Sequence, residues 1–368
     1  MPITDPGSVL LLGAGVSAPF GIPLGGELIS RISAQIAHDC SNATIDNNWG
    51  QKEPAPSRTV YWAAHAEQWH SHPIYGSIIR ARVSDDFRLD REVGIKAHND
   101  LVALQGLLTN QTAETIDAFI AENPGVSSMT KLAIASVILK GLYGVQSNKH
   151  ELALRPLVAR ELAAPHPRPP ERNWIHLLIN IVRHGIDSGS VSTSDKIKIV
   201  TFNYDTVLEH VLEEQFSNRE VPLGHYKDFF EIVHVHGQFP PLARTCSDPG
   251  KLAIECAAGI NVVNEKTTCH AVEAARARAK SLVWEANKIY AIGFSFAGPN
   301  CRLLGLDKMF SDRARQLIYC NYDGNRGIAE SAKRYVQAHS ITERPGDFAR
   351  PLSATDFIKA GFLGEPPG

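Results

Sequence analysis

No apolar run in the chain reaches the roughly 18–20 residues of a membrane-spanning helix, so no membrane association is expected. The opening residues, Met1 to Gly7, carry neither a basic region nor the apolar core of a secretory leader. The cytoplasm is therefore the expected location. Charge of one sign is not in excess: 37 Lys and Arg against 39 Asp and Glu give a formal net charge of −2. Dedicated nucleic-acid binders carry a clear basic surplus, so direct nucleic-acid binding is not expected. The basic cluster Arg276, Arg278 and Lys280 alternates with alanines and reads as a solvated helix face. Six cysteines occur, none in a Cys-x-x-Cys pair. Cys246, Cys256 and Cys269 are spaced too widely for a zinc ribbon, whose ligands come in close pairs. Free thiols and no metal site are expected, with Cys320 in the core. Internal repeats and low-complexity tracts are also missing.

What the chain does contain is a glycine-rich turn behind a short apolar strand. Val9 to Leu12 runs into Gly13-Ala14-Gly15-Val16-Ser17, and Gly21-Ile22-Pro23 follows. A buried strand that ends in Gly-x-Gly and opens a helix can hold a phosphate. Glycine lets the backbone approach the ligand, and a helix N-terminus offers free N–H groups. A hydride-transferring dehydrogenase would place an acidic residue at the end of a second strand about 20 residues on. Here Leu28 to Ile36 reads as helix, and Asp39 is at no plausible strand end. That class is disfavoured.

Strand and helix patterns alternate in two blocks. Residues 8–12 read as strand and 25–38 as helix. From about 40 to 171 helical segments dominate, among them Thr115–Ile120 and Met129–Leu142. This stretch leaves through the Pro-rich segment Ala164–Pro170, which fits neither helix nor central strand. Alternation then resumes: strands at 197–202, 230–235, 288–292 and 316–320, helices at 205–216, 270–285 and 327–338. Strands separated by helices pair in parallel. The expected fold is α/β, a Rossmann-like doubly wound parallel sheet with a large helical insertion. Residues 1–39 and 172–340 would form the core, 40–171 the insert and 341–368 a C-terminal tail.

Ligands of such sheets bind outside the carboxyl ends of the strands. Four further segments with polar residues sit at expected strand ends. Thr201-Phe202-Asn203-Tyr204-Asp205 opens a helix, where Asp205 can also serve as a cap. In His234-Val235-His236-Gly237, His236 precedes a glycine and suits a general base near neutral pH. Two histidines without nearby Cys, Asp or Glu ligands make a poor metal site. Gly293-Phe294-Ser295 and the strand-end Asn321 complete the set.

The order of these segments resembles the sirtuin superfamily, and in particular its bacterial branch associated with antiphage defence. The resemblance covers residues 8–38 and roughly 195–325, and the Ile116-Asp117 segment of the insert fits that branch. It implies an NAD-consuming enzyme in which Gly13, Ala14, Gly15 and Ser17 hold the NAD diphosphate. It places Asn203 beside the nicotinamide ribose with Asp205 supporting the pocket, makes His236 the catalytic histidine, and brings Gly293, Ser295 and Asn321 to the adenosine half. Asp117 would approach the site, although a helix-face acid is the simpler reading. Deacylase members carry a four-cysteine zinc module and an Asp-Phe-Arg after Gly-Ile-Pro. This chain lacks the module and has Leu24-Gly25-Gly26 instead. Water then becomes the expected acceptor, and an NAD glycohydrolase acting in defence by NAD depletion the expected function. A deacylase or ADP-ribosyltransferase and a non-catalytic NAD or ADP-ribose sensor are the alternatives. A homo-oligomer and a separately encoded ATPase are the partners the resemblance suggests.

Overall fold

The computed structural model describes residues 5–45, 66–82, 91–111, 113, 115–146, 151–157, 174–217, 224–262, 269–308, 315–321, 325–338, 340–345 and 358. The Pro-rich segment 164–170, most of the polar stretch 41–58 and most of the 341–368 tail lie outside them. The chain divides into two units, residues 1–19, 156–237 and 266–368 in one and residues 20–155 and 238–265 in the other.

The first unit holds a six-stranded sheet: β1 Ser8–Leu12, β2 Ile197–Thr201, β3 Phe230–His234, β4 Lys288–Ile292, β5 Gln316–Asn321 and β6 Ser340–Pro345. Every pairing is parallel, and the spatial order is β3-β2-β1-β4-β5-β6. The chain winds outward from β1 to β3, then returns to the other side of β1 as β4. This is the doubly wound, Rossmann-like arrangement, and its switch point lies between β1 and β4. Parallel strands are covered on both faces, and all five residues of β1 are buried. On one face Val9, Leu11, Val200, Val233, Ile289, Ala291, Leu317 and Tyr319 form a core with Ala279, Leu282 and Val283 of a helix. That helix, α3 His270–Glu285, follows α1 Trp174–Asp187 and α2 Val207–Phe216 and precedes α4 Gly298–Leu304 and α5 Arg326–Tyr335. The α3 arginines are not merely solvated: Arg276 Nε donates to the Val235 carbonyl at 3.1 Å, and Arg278 forms a fork with Glu231 at 2.6 and 2.9 Å.

The second unit is mainly helical, with the long helices Gly25–Ile45, Arg91–Thr109 and Ser127–Leu142 and a small antiparallel sheet of Tyr143–Val145, Leu152–Leu154 and Thr245–Cys246. Three boundaries differ from the sequence expectation. The helix after the glycine turn and the segment 238–265 belong to the helical unit. Residue 340 begins a sheet strand and ends no domain, because β6 pairs with β5 along Gln316–Asn321. The absence of a membrane-length segment also needs correction. Pro124–Leu142 is long and apolar enough by length and composition. Its apolar residues are diluted by Ser, Thr and Gly, which hides the run by eye. Residues Leu132 to Leu139 of this helix are continuously buried inside the protein, as in a core helix.

The six cysteines are free thiols, and Cys320 is buried as expected.

At the switch point the two loops that leave β1 and β4 meet through backbone. A Cβ on Gly13 would lie 2.3 Å from the Gly293 carbonyl oxygen, and one on Gly15 would lie 2.7 Å from the Gly293 Cα. Gly293 itself has φ +63°. Gly293→Ala therefore combines left-handed backbone strain of about 1–2 kcal/mol with a backbone clash. We expect it to lower stability by about 2–4 kcal/mol in chemical denaturation. Gly106→Ala, on a helix face with nothing within 4 Å, should instead stabilise by about 0.4–1 kcal/mol.

Candidate functional site

Each predicted site residue in the sheet unit lies on or just beyond a carboxyl strand end. The first surprise is the glycine turn itself. Two 3-10 turns, Ala14–Val16 and Ala18–Phe20, follow β1, and the next α-helix begins only at Gly25. The turn thus opens no α-helix, and the N–H groups of Gly13, Gly15, Val16 and Ser17 are already bonded within the protein. Gly13 N–H donates to the Ile292 carbonyl at 3.0 Å and Gly15 N–H to the Gly293 carbonyl at 3.2 Å. Val16 and Ser17 donate back to Gly13 and Ala14 at 3.2 and 3.1 Å. A phosphate cradle built from these four N–H groups is not supported. The glycines serve instead as a close backbone contact, and Trp174 secures the turn by donating its indole N–H to the Val16 carbonyl at 2.9 Å.

The contact places Ser17 under the turn that follows β2. Asn203 Nδ2 donates to Ser17 Oγ at 2.8 Å, and Ser17 Oγ donates to Asp205 Oδ2 at 2.9 Å. Asp205 Oδ1 accepts the Val207 N–H at 3.2 Å, so the carboxylate also tethers the start of α2. All three side chains are buried. The direction of the relay matters. The carboxylate takes the serine proton, the serine oxygen must then accept from an amide N–H, and the Asn203 amide has one allowed orientation. Its Oδ1 is left buried with no hydrogen-bond partner among the described residues. Such atoms are few in native proteins, and each calls for an explanation.

His236 flanks the same turn. Thr201 of β2 pairs with His234 of β3, so Asn203 and His236 each stand two residues past a matched pair. The His236 ring packs edge-on to Phe202 at 5.0 Å and lies 6.1 Å from the Tyr204 ring. It is 2% exposed, and Gly237 behind it turns with φ +77°. On the far side of the switch point Ser295 is exposed between buried Phe294 and Phe296. Phe296 has φ +55°, the one non-glycine residue with positive φ among those described.

Asn321 is placed differently from its expected role. Its Nδ2 donates to the Asn325 carbonyl at 3.0 Å and to Glu343 Oε1 at 2.7 Å, and its Oδ1 accepts the Asn325 N–H at 3.1 Å. The amide ties the end of β5 to Asn325 and to Glu343 of β6, so both its nitrogen and its oxygen already have protein partners. Asp117 lies in the helical unit, in the first turn of Ile116–Glu122, where a carboxylate favours the helix dipole. Among the described residues no group of three or more His, Cys, Asp or Glu could hold a metal.

The sequence pointed to His236 rather than His234 as the working base, and Glu209 was passed over. The structure joins them: His234 Nε2 lies 2.5 Å from Glu209 Oε1, and His234 Nδ1 lies 2.8 Å from the Asn203 carbonyl oxygen. The available signal was helical phase, since Glu209 stands one turn past Asp205. No protein-family model matches the sequence, and no curated protein matches it either.

Burial raises the Asp205 carboxyl above its ordinary value of 3.8, against the Ser17 and Val207 hydrogen bonds that favour its ionised form. Below pH 3.8 the carboxyl is neutral in both native and unfolded chains. As pH rises through the higher native value, ionising a buried group costs native stability. Asp205→Asn escapes that loss. In thermal unfolding, the Tm of Asp205→Asn relative to wild type should move upward between pH 4 and neutrality; a constant difference would refute the burial cost.

Proposed function

We propose that this chain cleaves the nicotinamide–ribose bond of NAD, giving nicotinamide and ADP-ribose. The observation that carries the reading is Asn203, whose amide is oriented by Ser17 and Asp205 so that a buried Oδ1 is left without a partner. It stands beside His236 at the carboxyl edge of a doubly wound sheet, where ligands of such folds bind. A ribose hydroxyl or an ordered water supplies the donor that this oxygen lacks. The ordered motifs that resemble sirtuins support NAD as the ligand.

NAD is the substrate, and the chemistry asked of the protein is modest. Nicotinamide leaves a cationic pyridinium as a neutral ring with the electron pair of the broken C1′–N bond, so departure needs no acid. The site must favour an oxocarbenium-like ribose and hold a water against C1′. Asn203 Oδ1 orients that water or a ribose hydroxyl, and His236 accepts the water proton as the C1′–O bond forms. The cysteine spacing offers no close-paired zinc module, which favours water over an acyl-lysine acceptor. The turn Gly13–Ser17 acts by placing Ser17, not by gripping the diphosphate through the N–H groups of Gly13 and Gly15. In a cell this activity fits cytoplasmic antiphage defence by NAD depletion. It would be held off until self-association or a separately encoded ATPase releases it.

Purified protein incubated with NAD should release nicotinamide, alone or with its partner. Asn203→Ala and His236→Ala should each lower kcat by about 10²–10⁴-fold with circular dichroism unchanged. NAD that binds but is never consumed would refute hydrolysis and indicate a sensor. Release that requires an acyl-lysine peptide would indicate a deacylase.

A further inference from the structure

We propose that His234 and Glu209 form a pair that positions Asn203 only while it holds a proton, a role in catalysis that rests on the NAD-cleaving reading above. The argument needs only donors and acceptors. A carbonyl oxygen cannot donate, so the contact of 2.8 Å between His234 Nδ1 and the Asn203 carbonyl requires a hydrogen on Nδ1. A neutral imidazole would then present its Nε2 lone pair to Glu209 Oε1 at 2.5 Å. Two acceptors do not sit at that distance without a proton between them. Glu209 Oε2 is buried with no hydrogen-bond partner among the described residues. The carboxylate therefore depends on the histidine contact.

The pair acts on a residue that is otherwise fully restrained. Asn203 N–H donates to Thr201 Oγ1 at 3.1 Å, its carbonyl accepts from His234, and its Nδ2 donates to Ser17. Three of its four polar groups are fixed, and the fourth is the Oδ1 assigned to the ligand. Loss of the shared proton turns the Nε2–Glu209 contact repulsive and frees the peptide of Asn203. His234 is thus a positioning residue.

Other charges surround the pair. Asp205 lies in the turn before α2 and raises the proton affinity of His234. Tyr226, ahead of β3, is pushed up to about 12 by burial and by Glu209 and Glu213. On α3, Arg276 donates to the neighbouring Val235 carbonyl, and Arg278 is taken up by Glu231 of β3. Burial alone would lower the affinity of His234 for its proton. The Glu209 carboxylate and the Asn203 carbonyl outweigh it, so the net direction is upward from 6.5. The group is protonated below that raised value and loses its role as pH climbs through it.

The test compares wild type with Glu209→Gln, whose amide can donate to a neutral His234 and so remove the need for the proton. Wild-type nicotinamide release should fall about tenfold per pH unit on the alkaline side, in kcat more than in KM. In Glu209→Gln that fall should vanish. Nitrogen NMR of labelled histidine should show hydrogen on both His234 nitrogens at neutral pH, with the Asn203 amide signals titrating at the same pH. In Glu209→Gln, Nε2 should carry none and the Asn203 signals should stay still. An unprotonated Nε2 in wild type, Asn203 signals that ignore the titration, or one alkaline limb shared by both proteins would overturn the proposal. The NMR signals need no turnover. A wild type that titrates as expected but releases no nicotinamide overturns the NAD reading and leaves the proton pair standing.

Discussion

Where β1 and β4 leave the sheet, two segments of chain touch with no side chain between them. Gly13 and Gly15 lie on Gly293 so closely that a single Cβ would meet backbone at 2.3–2.7 Å. The β1 loop donates two hydrogen bonds across the contact, from Gly13 N–H to the Ile292 carbonyl and from Gly15 N–H to the Gly293 carbonyl. The position of Ser17 follows from this contact, because only Val16 separates it from Gly15. If the loops stood apart by the width of a methyl group, Ser17 could not reach Asn203 and Asp205 together. The geometry of the polar site is therefore fixed by a steric fact about glycine at a topological switch point.

From that fixed point the hydrogen bonds acquire a direction. A buried carboxylate can only accept, so Ser17 must donate to Asp205 and accept from Asn203. The amide cannot flip without placing its oxygen against the serine oxygen. On its other side the Asn203 peptide is held by Thr201 and His234. Four residues from three strand-end segments thus control one oxygen atom. Replacing any of them with a residue of the same size but different hydrogen bonding would preserve packing and lose the orientation.

The architecture was legible in the sequence because alternation is a backbone-scale signal. The strands at 288–292 and 197–202 follow from short apolar runs and the helix at 270–285 from its richness in alanine, and the structure has strands at Lys288–Ile292 and Ile197–Thr201 and a helix at His270–Glu285. The final strand was not legible: Ser340-Ile341-Thr342-Glu343-Arg344-Pro345 has little apolar content, and its place comes from pairing with β5. The site was half legible. Asn203, Asp205 and His236 were picked out by their position at strand ends, and the structure brings them to one edge of the sheet. The glycine turn was picked out as a phosphate cradle, and its spacing reports a close approach of backbone without saying whether phosphate or protein makes it. Asn321 shows the same ambiguity, since a strand-end amide can hold a ligand or close its own turn. Glu209 was missed because its one signal, helical phase with Asp205, says nothing of a pairing with a histidine 25 residues away.

Unfavourable features are concentrated at this edge of the sheet. Asp205 is buried against its preference for water. Asn203 Oδ1 is buried without a partner. Phe296 holds φ +55° while fully buried between Phe294 and Tyr319. Strain of that kind costs of order 1–3 kcal/mol per residue. Phe296 belongs to the adjoining core, where it packs with Phe294, Tyr319 and the aliphatic residues of the strands. Asparagine at position 205 would escape the cost of burying a charge, whereas Phe296 is fully buried in the core and glycine there would lose more packing than the strain costs. The clustering of these features within one strand-end region, on both sides of the switch point, is a cost that the proposed NAD site would account for.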